Sequence, residues 1–130
     1  MSRKHLQTAY LDELERRFGE RVSGDPVERY IYSRDIGEFP SMVGKLVGGK
    51  AQAVVLAEDA EDISWIMDFA RRNDLPLTPR AAATSGYGGV IPVEGGIVVD
   101  LTLMNRILDV DEEGKKARVE AGMVWWDLEK

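Results

Sequence analysis

Apolar side chains recur every fourth position between residues 3 and 18, at Leu6, Tyr10, Leu14 and Phe18. That spacing predicts an amphipathic helix, with Gly19 placed to stop it. The pattern then loosens over residues 20–50. Asp25-Pro26 is placed to open a helical turn through Tyr32, while Gly37, Pro40, Gly44 and Gly48-Gly49 interrupt the remainder of the segment. This segment reads as a wrapping arm or loop rather than a core element. From Ala53 the signal sharpens. Ala53-Val54-Val55-Leu56 predicts a short buried strand, and Asp59 a helix N-cap with Glu61 and Asp62 in the first turn, where the helix dipole favours anions. Ile63, Ile66, Met67 and Ala70 share one apolar face, and Asn73 ends the helix. Leu75-Pro76-Leu77-Thr78 begins the next strand and Ile97-Val98-Val99-Asp100 supplies a third. Strand, helix and strand so tightly joined imply a right-handed parallel unit. Beyond Asn105 the period changes to two. Residues 107–111 and 117–121 alternate around the polar turn Glu112-Glu113-Gly114-Lys115-Lys116, the signature of an antiparallel hairpin with one wet face.

Together these elements define an α+β class: a parallel β-α-β subdomain followed by the start of an antiparallel subdomain. The boundaries read as 1–50 for the N-terminal helix and arm, 51–106 for the parallel unit and 107–130 for the antiparallel one. An isolated two-stranded hairpin is marginal in water. The chain is therefore expected to stop inside a larger domain, with residues 124–130 as the first turns of a further helix.

Composition narrows the chemistry. With 130 residues, 44% hydrophobic and 31% charged, the chain is expected to be soluble and globular. A net charge of -6 and scattered basic residues speak against nucleic acid. No apolar run reaches membrane-span length and the N-terminus lacks a signal-peptide core, so a cytoplasmic location is expected. There is no cysteine, and the single histidine, His5, lies in the first helix. Thiolate nucleophiles, iron–sulfur clusters, Cys-based zinc sites and Ser–His–Asp triads are thereby set aside by counting. No metal site is expected.

The most informative stretch is LTPRAAATSGYGGVIPVEGGIVV, residues 77–99. An apolar strand runs through Pro79-Arg80 into a loop built from Ala, Thr, Ser, Gly and Tyr. Such small side chains leave backbone N–H groups uncovered, so a large anion can approach the main chain; a dinucleotide pyrophosphate requires that chemistry. The same composition also makes ordinary surface turns.

Several segments stand in a telling order and spacing: Ala53-Val54-Val55 with Glu61-Asp62-Ile63, Leu77-Thr78-Pro79-Arg80, Thr84-Ser85 with Gly88-Gly89, and Gly95-Gly96-Ile97-Val98-Val99-Asp100-Leu101 followed by Met104-Asn105-Arg106-Ile107-Leu108. The ARVEAG run of residues 117–122 completes the set. Together they resemble the first half of the FAD-binding domain of the vanillyl-alcohol oxidase and p-cresol methylhydroxylase type. Within that type the likeness is to the FAD-linked subunit of glycolate oxidase and to D-lactate dehydrogenases. The resemblance implies an incomplete FAD-binding domain belonging to a flavin-dependent oxidoreductase of 2-hydroxy acids. It also implies non-covalent FAD, since no His occupies the loop. Partners would be FAD and the missing C-terminal half with its substrate cap domain, or a partner chain. The alternative is a non-catalytic binding or assembly module whose half-site is a relic or is completed in trans.

By that resemblance Pro79, Arg80, Ala81, Ala82, Ala83, Thr84 and Ser85 would hold the pyrophosphate, chiefly through backbone, with the hydroxyls of Thr84 and Ser85 as further donors. Gly88 and Gly89 would pass near the ribityl or isoalloxazine region, and Gly122 is a weaker cofactor candidate. No catalytic residue is assigned within 1–130, because the family's base and substrate groups lie in the cap domain. By the resemblance, Ala81 stands where the family usually has Gly, and Ala83 where it often has Gly or Asn. If either position needs positive φ, an alanine there costs about 1–2 kcal/mol. Bland roles are expected for the rest: a loop cap for Asp35, a structural side chain for Arg80, turn and helix-start positions for Glu112-Glu113 and Glu61-Asp62. Trp125 and Trp126 are expected in core or subdomain packing.

Overall fold

Two strands of branched apolar residues form the centre of the molecule because each is buried on both faces. In the computed structural model, which describes residues 3–37 and 49–129 (side chains from residue 9 onward), these are β2, Ala53–Leu56, and β4, Ile97–Asp100. They pair in parallel, Ala53 opposite Ile97 and Leu56 opposite Asp100. β3, Leu77–Arg80, pairs in parallel with the other side of β4, and β1, Val22–Ser23, runs antiparallel along β2. The order is therefore β1-β2-β4-β3. Pro79 sits in β3, an edge strand, where a missing N–H is tolerated. The two strands joined by the helix are thus not neighbours, since β4 inserts between them. β1 corrects the reading of residues 20–50 as lying wholly outside the core, for Val22 and Ser23 extend the sheet.

The pleat divides the core. Ala53, Val55, Ile97 and Val99 face α1, Arg3–Phe18, and α3, Ala60–Asn73, together with Leu14, Phe18, Ile66 and Phe69. Val54 and Val98 face the other way, beneath Ala51, Tyr32 and Leu56, on the side of α2, Pro26–Tyr32. Aromatic rings lock α1 to α3: Trp65 stacks on Phe69 at 5.3 Å, and Phe18 meets Trp65 edge-on at 5.3 Å. Met67, expected on the buried face, is 58% exposed. Trp65, Ile66 and Phe69 draw that face toward α1, which leaves Met67 on its far side.

Helix ends follow the residue chemistry. Asp25 accepts from the amides of Val27 and Glu28 with Pro26 at the first helical position. Asp59 accepts from Asp62, and Asp74 closes α3 in the left-handed region at φ 52°. Gly19 ends α1 at φ +59° before a single 3-10 turn, Gly19–Arg21. Asp62 is buried and ion-paired: Arg21 Nη1 donates to its Oδ2 at 2.5 Å, Arg17 lies 3.3 Å away, and the Glu58 amide donates at 3.2 Å. Burial raises the Asp62 pKa, but the Arg21 hydrogen bond, the Glu58 amide and both arginine charges together hold it below the usual carboxylate range. Its role is to fasten α1 to the start of α3.

The hairpin consists of β5, Ile107–Asp111, and β6, Lys116–Val119, with a bulge after Ile107. Ile107, Val110, Ala117 and Val119 share one face; Asp109, Asp111, Lys116 and Arg118 share the other. One dry face was expected, yet Ile107 and Val110 are at least half exposed on it. The short helix α4, Trp125–Leu128, flanks a shallow groove lined by Val110, Ala117, Val119, Met123, Trp125 and Leu128. Trp125 and Trp126, expected in packing, are 77% and 71% exposed, because the described elements place nothing over α4. Lys130, the side chains of His5 and Leu6, and Pro40, Gly44 and Gly48 lie outside the described residues.

Candidate functional site

Leu56, Asp100 and Arg80 stand side by side across β2, β4 and β3, so the three parallel strands end at one edge. In open α/β sheets this edge is where ligands gather. The loop of residues 81–89 leaves directly from Arg80. Among the described residues, none of the five amides of residues 81–85 donates a hydrogen bond. Ala82, Thr84, Ser85 and Gly89 are exposed, and Ala81 and Ala83 half-buried. Open donors at a strand end, on residues that carry nothing larger than Thr, form a surface receptive to an anion. Ala83 adopts φ +52°, whereas Ala81 keeps a negative φ. A left-handed backbone is thus required at one of the two positions and not at the other. Gly88 has φ +80°, and a Cβ at Gly89 would meet nothing within 4 Å.

The arm after α2 supplies groups that sequence reasoning undervalued. Tyr32 Oη donates to Asp100 Oδ2 at 2.6 Å, and Thr102 donates to Asp100 Oδ1 through its amide and hydroxyl. Burial, then the hydrogen bond and charge of Asp100, push the Tyr32 pKa up to about 12. The Arg80 guanidinium lies 5.2 Å from the Tyr32 ring centre and donates to the Arg34 carbonyl at 2.5 Å. Its side chain is therefore engaged with the arm. Asp35 does more than cap its own turn. It accepts from Gly37 N–H at 2.8 Å and also from Gly88 N–H, 53 residues away, at 2.6 Å. A carboxylate closing a strand of apolar residues was the available signal for Asp100; nothing local marked the reach of Asp35.

Gly122 has a different neighbourhood. Its amide donates to the Met104 carbonyl at 2.8 Å, and a Cβ there would collide with the Leu101 carbonyl. Its smallness is used by the turn that follows β4. Beside it, Arg106 pairs with Glu120 through Nη2 at 2.6 Å, while the Arg106 amide donates to Glu120 at 2.9 Å; these bonds hold the Glu120 carboxyl below its usual range. Glu112 and Glu113 are exposed turn residues and Glu61 is exposed. Among the described residues there is no group of three or more His, Asp or Glu poised to hold a metal, and no helix long and apolar enough to cross a membrane.

The class defined by this fold and edge is a mixed α/β domain with a parallel sheet, a separate antiparallel hairpin and an anion-receptive loop after the outer parallel strand. Residues 51–130 match the family described as FAD binding domain, and the chain belongs to that family. It is 34% identical to D-lactate dehydrogenase of Anaerostipes hadrus over 78% of its length. It is 36% identical to glycolate oxidase subunit GlcD of Bacillus subtilis over 77%. These alignments span 22% and 20% of the two relatives, so the chain corresponds to about a fifth of each. A substrate-bound p-cresol methylhydroxylase superposes on 97% of the chain, and the chain covers 24% of it, with a TM-score of 0.81 at 19% identity; the fold is shared. FAD is the cofactor of the family, and the loop fits it: five open amides at the strand edge suit a pyrophosphate, and the space beside Gly89 is clear.

Proposed function

We propose that this chain is the FAD-binding N-terminal part of a cytoplasmic flavin-dependent oxidoreductase acting on a small 2-hydroxy acid of the D-lactate or glycolate type. The observation carrying the cofactor assignment is the run of five open amides at residues 81–85, directly after Arg80. The names of the two sequence relatives support the substrate class. Bound FAD would supply the hydride-accepting chemistry; the protein's part is binding and orientation. The backbone of residues 79–85 would take the pyrophosphate, and the Thr84 and Ser85 hydroxyls would donate to its oxygens. Gly88 and Gly89 would leave room for the ribityl or isoalloxazine portion, with Gly122 a lesser contributor. No residue here is given a catalytic role. The exposed apolar face of the hairpin supports completion of the second subdomain by further strands, from the same polypeptide or a partner chain.

Thermal unfolding with and without FAD tests the cofactor assignment. At a free concentration 100-fold above Kd, a bound ligand stabilises by about 2.7 kcal/mol. The double variant Thr84→Trp, Ser85→Trp should keep its unliganded Tm, since both side chains are exposed, and should lose the FAD-induced rise. No rise in the wild-type chain, or an equal rise in the variant, refutes the loop assignment.

A further inference from the structure

Residues 32–37 lie outside the family-matched span, yet they hold the loop at both ends. Arg80, where the loop begins, is tied to the carbonyl of Arg34 at 2.5 Å. Gly88, next to its last residue, is tied to the carboxylate of Asp35 at 2.6 Å. Two consecutive arm residues therefore close the base of the loop. The arm itself is anchored by Tyr32 on the buried Asp100. A second observation fits: Gly37 and Gly86 pass backbone to backbone, and a Cβ on Gly37 would collide with the Gly86 carbonyl.

We propose that Asp35 is a positioning residue for FAD, its carboxylate seated between the amides of Gly37 and Gly88 so that the amides of residues 81–85 stay presented to the pyrophosphate. This rests on the FAD reading of the loop. The physical reason is preorganisation. With both loop ends fixed, the ordering cost of the intervening residues falls on folding, and binding does not bear it. Each carboxylate oxygen takes one backbone donor, Oδ1 from Gly37 in the arm and Oδ2 from Gly88 in the loop. Among the described residues 81–90, only the Gly88 amide donates a hydrogen bond, so the amides of residues 81–85 stay open. Because Asp35 is itself an anion, it acts through the backbone it holds and not by touching the phosphates.

The test compares Asp35→Ala and Asp35→Asn with the wild-type 130-residue chain. Three quantities are read: amide exchange at Gly88 without FAD, FAD affinity by calorimetry, and the urea midpoint. Asp35→Ala should speed Gly88 exchange beyond any change in global stability and weaken FAD binding by about tenfold or more, the scale of a hydrogen bond to a charged group. Asp35→Asn retains one acceptor oxygen and should recover part of both losses. That graded rescue is not expected of a purely structural residue, whose loss would shift the urea midpoint and leave affinity alone. Unchanged affinity in both variants overturns the proposal. So does tighter binding in Asp35→Asn, which would mean the carboxylate merely repels the cofactor. If Asp35→Ala does not fold, Asp35→Asn carries the comparison. If Gly88 exchange responds as stated but the wild-type chain binds no FAD, the FAD reading is refuted while the tie between arm and loop stands as structure.

Discussion

Replacing Ala83 by Gly should make the protein more stable, although glycine normally does the reverse. Ala83 sits at φ +52°, where its Cβ crowds the following carbonyl. A non-glycine residue in that region costs about 1–2 kcal/mol. Glycine removes this cost but enlarges the unfolded ensemble, which takes back about 0.4–1 kcal/mol. The net expectation is a gain of about 0.5–1 kcal/mol, or roughly 2–4 °C in Tm for a chain of this size. Ala81 is the internal control. It occupies the same loop with a negative φ, so Ala81→Gly brings only the entropic loss and should destabilise by about 0.5–1 kcal/mol. Urea unfolding of the two variants beside the wild type provides the measurement, with a constant m-value as the check that only stability has changed. Opposite signs support the reasoning. If Ala83→Gly destabilises as much as Ala81→Gly, the left-handed conformation at position 83 is refuted. FAD affinity should stay within about twofold in Ala83→Gly, because the strain is present with or without ligand and cancels from binding.

Two further outcomes concern the buried polar groups. Asp62→Asn removes the nearer, buried carboxylate from Arg21, leaving it Glu58 at 3.6 Å, and should cost about 3 kcal/mol, the scale for breaking a buried pair. Its folded pKa lies below the ordinary value of 3.8, so the unfolded chain takes up the proton first as pH falls. The wild type should therefore hold this stability above about pH 4 and lose it as pH drops through the folded pKa, whereas Asp62→Asn should lack that component; parallel acid-unfolding curves would refute it. Tyr32→Phe strips the buried Asp100 of a donor and should cost about 1–3 kcal/mol by urea unfolding. Because folding raises the Tyr32 pKa from 10.0 to about 12, its contribution is complete below pH 10 and is lost as pH rises toward 12. The phenolic absorbance of the wild type should accordingly include a late-titrating component that Tyr32→Phe lacks; the same high-pH titration in both would refute it.

Elements set by local chemistry were legible before any coordinates. Asp59 and Asp25 marked helix starts, and the branched residues of β2 and β4 marked strands buried on both faces. The loop after β3 was legible for a related reason. Its small residues follow Pro79-Arg80 at the end of a strand, and small side chains leave backbone amides uncovered. What escaped was decided across the chain. β1 is two residues long, too short for any period to reveal, and exists only because Val55 and Val54 offer it an edge. Met67 was lost to solvent because Trp65 and Phe69 won the contact with α1.

By its own pattern of side chains, then, the sequence determined the strands and helices apart from β1, and it determined that residues 81–85 carry no side chain larger than Thr. Propensity, capping and the absence of bulk act within a few residues of one another, so they can be read along the chain. Only the tertiary structure decided that β4 lies between β2 and β3, that Ala83 and not Ala81 bears the left-handed turn, and that Asp35 reaches Gly88. Each of those depends on a partner tens of residues away or on how the loop must bend to close, and no local spacing encodes it.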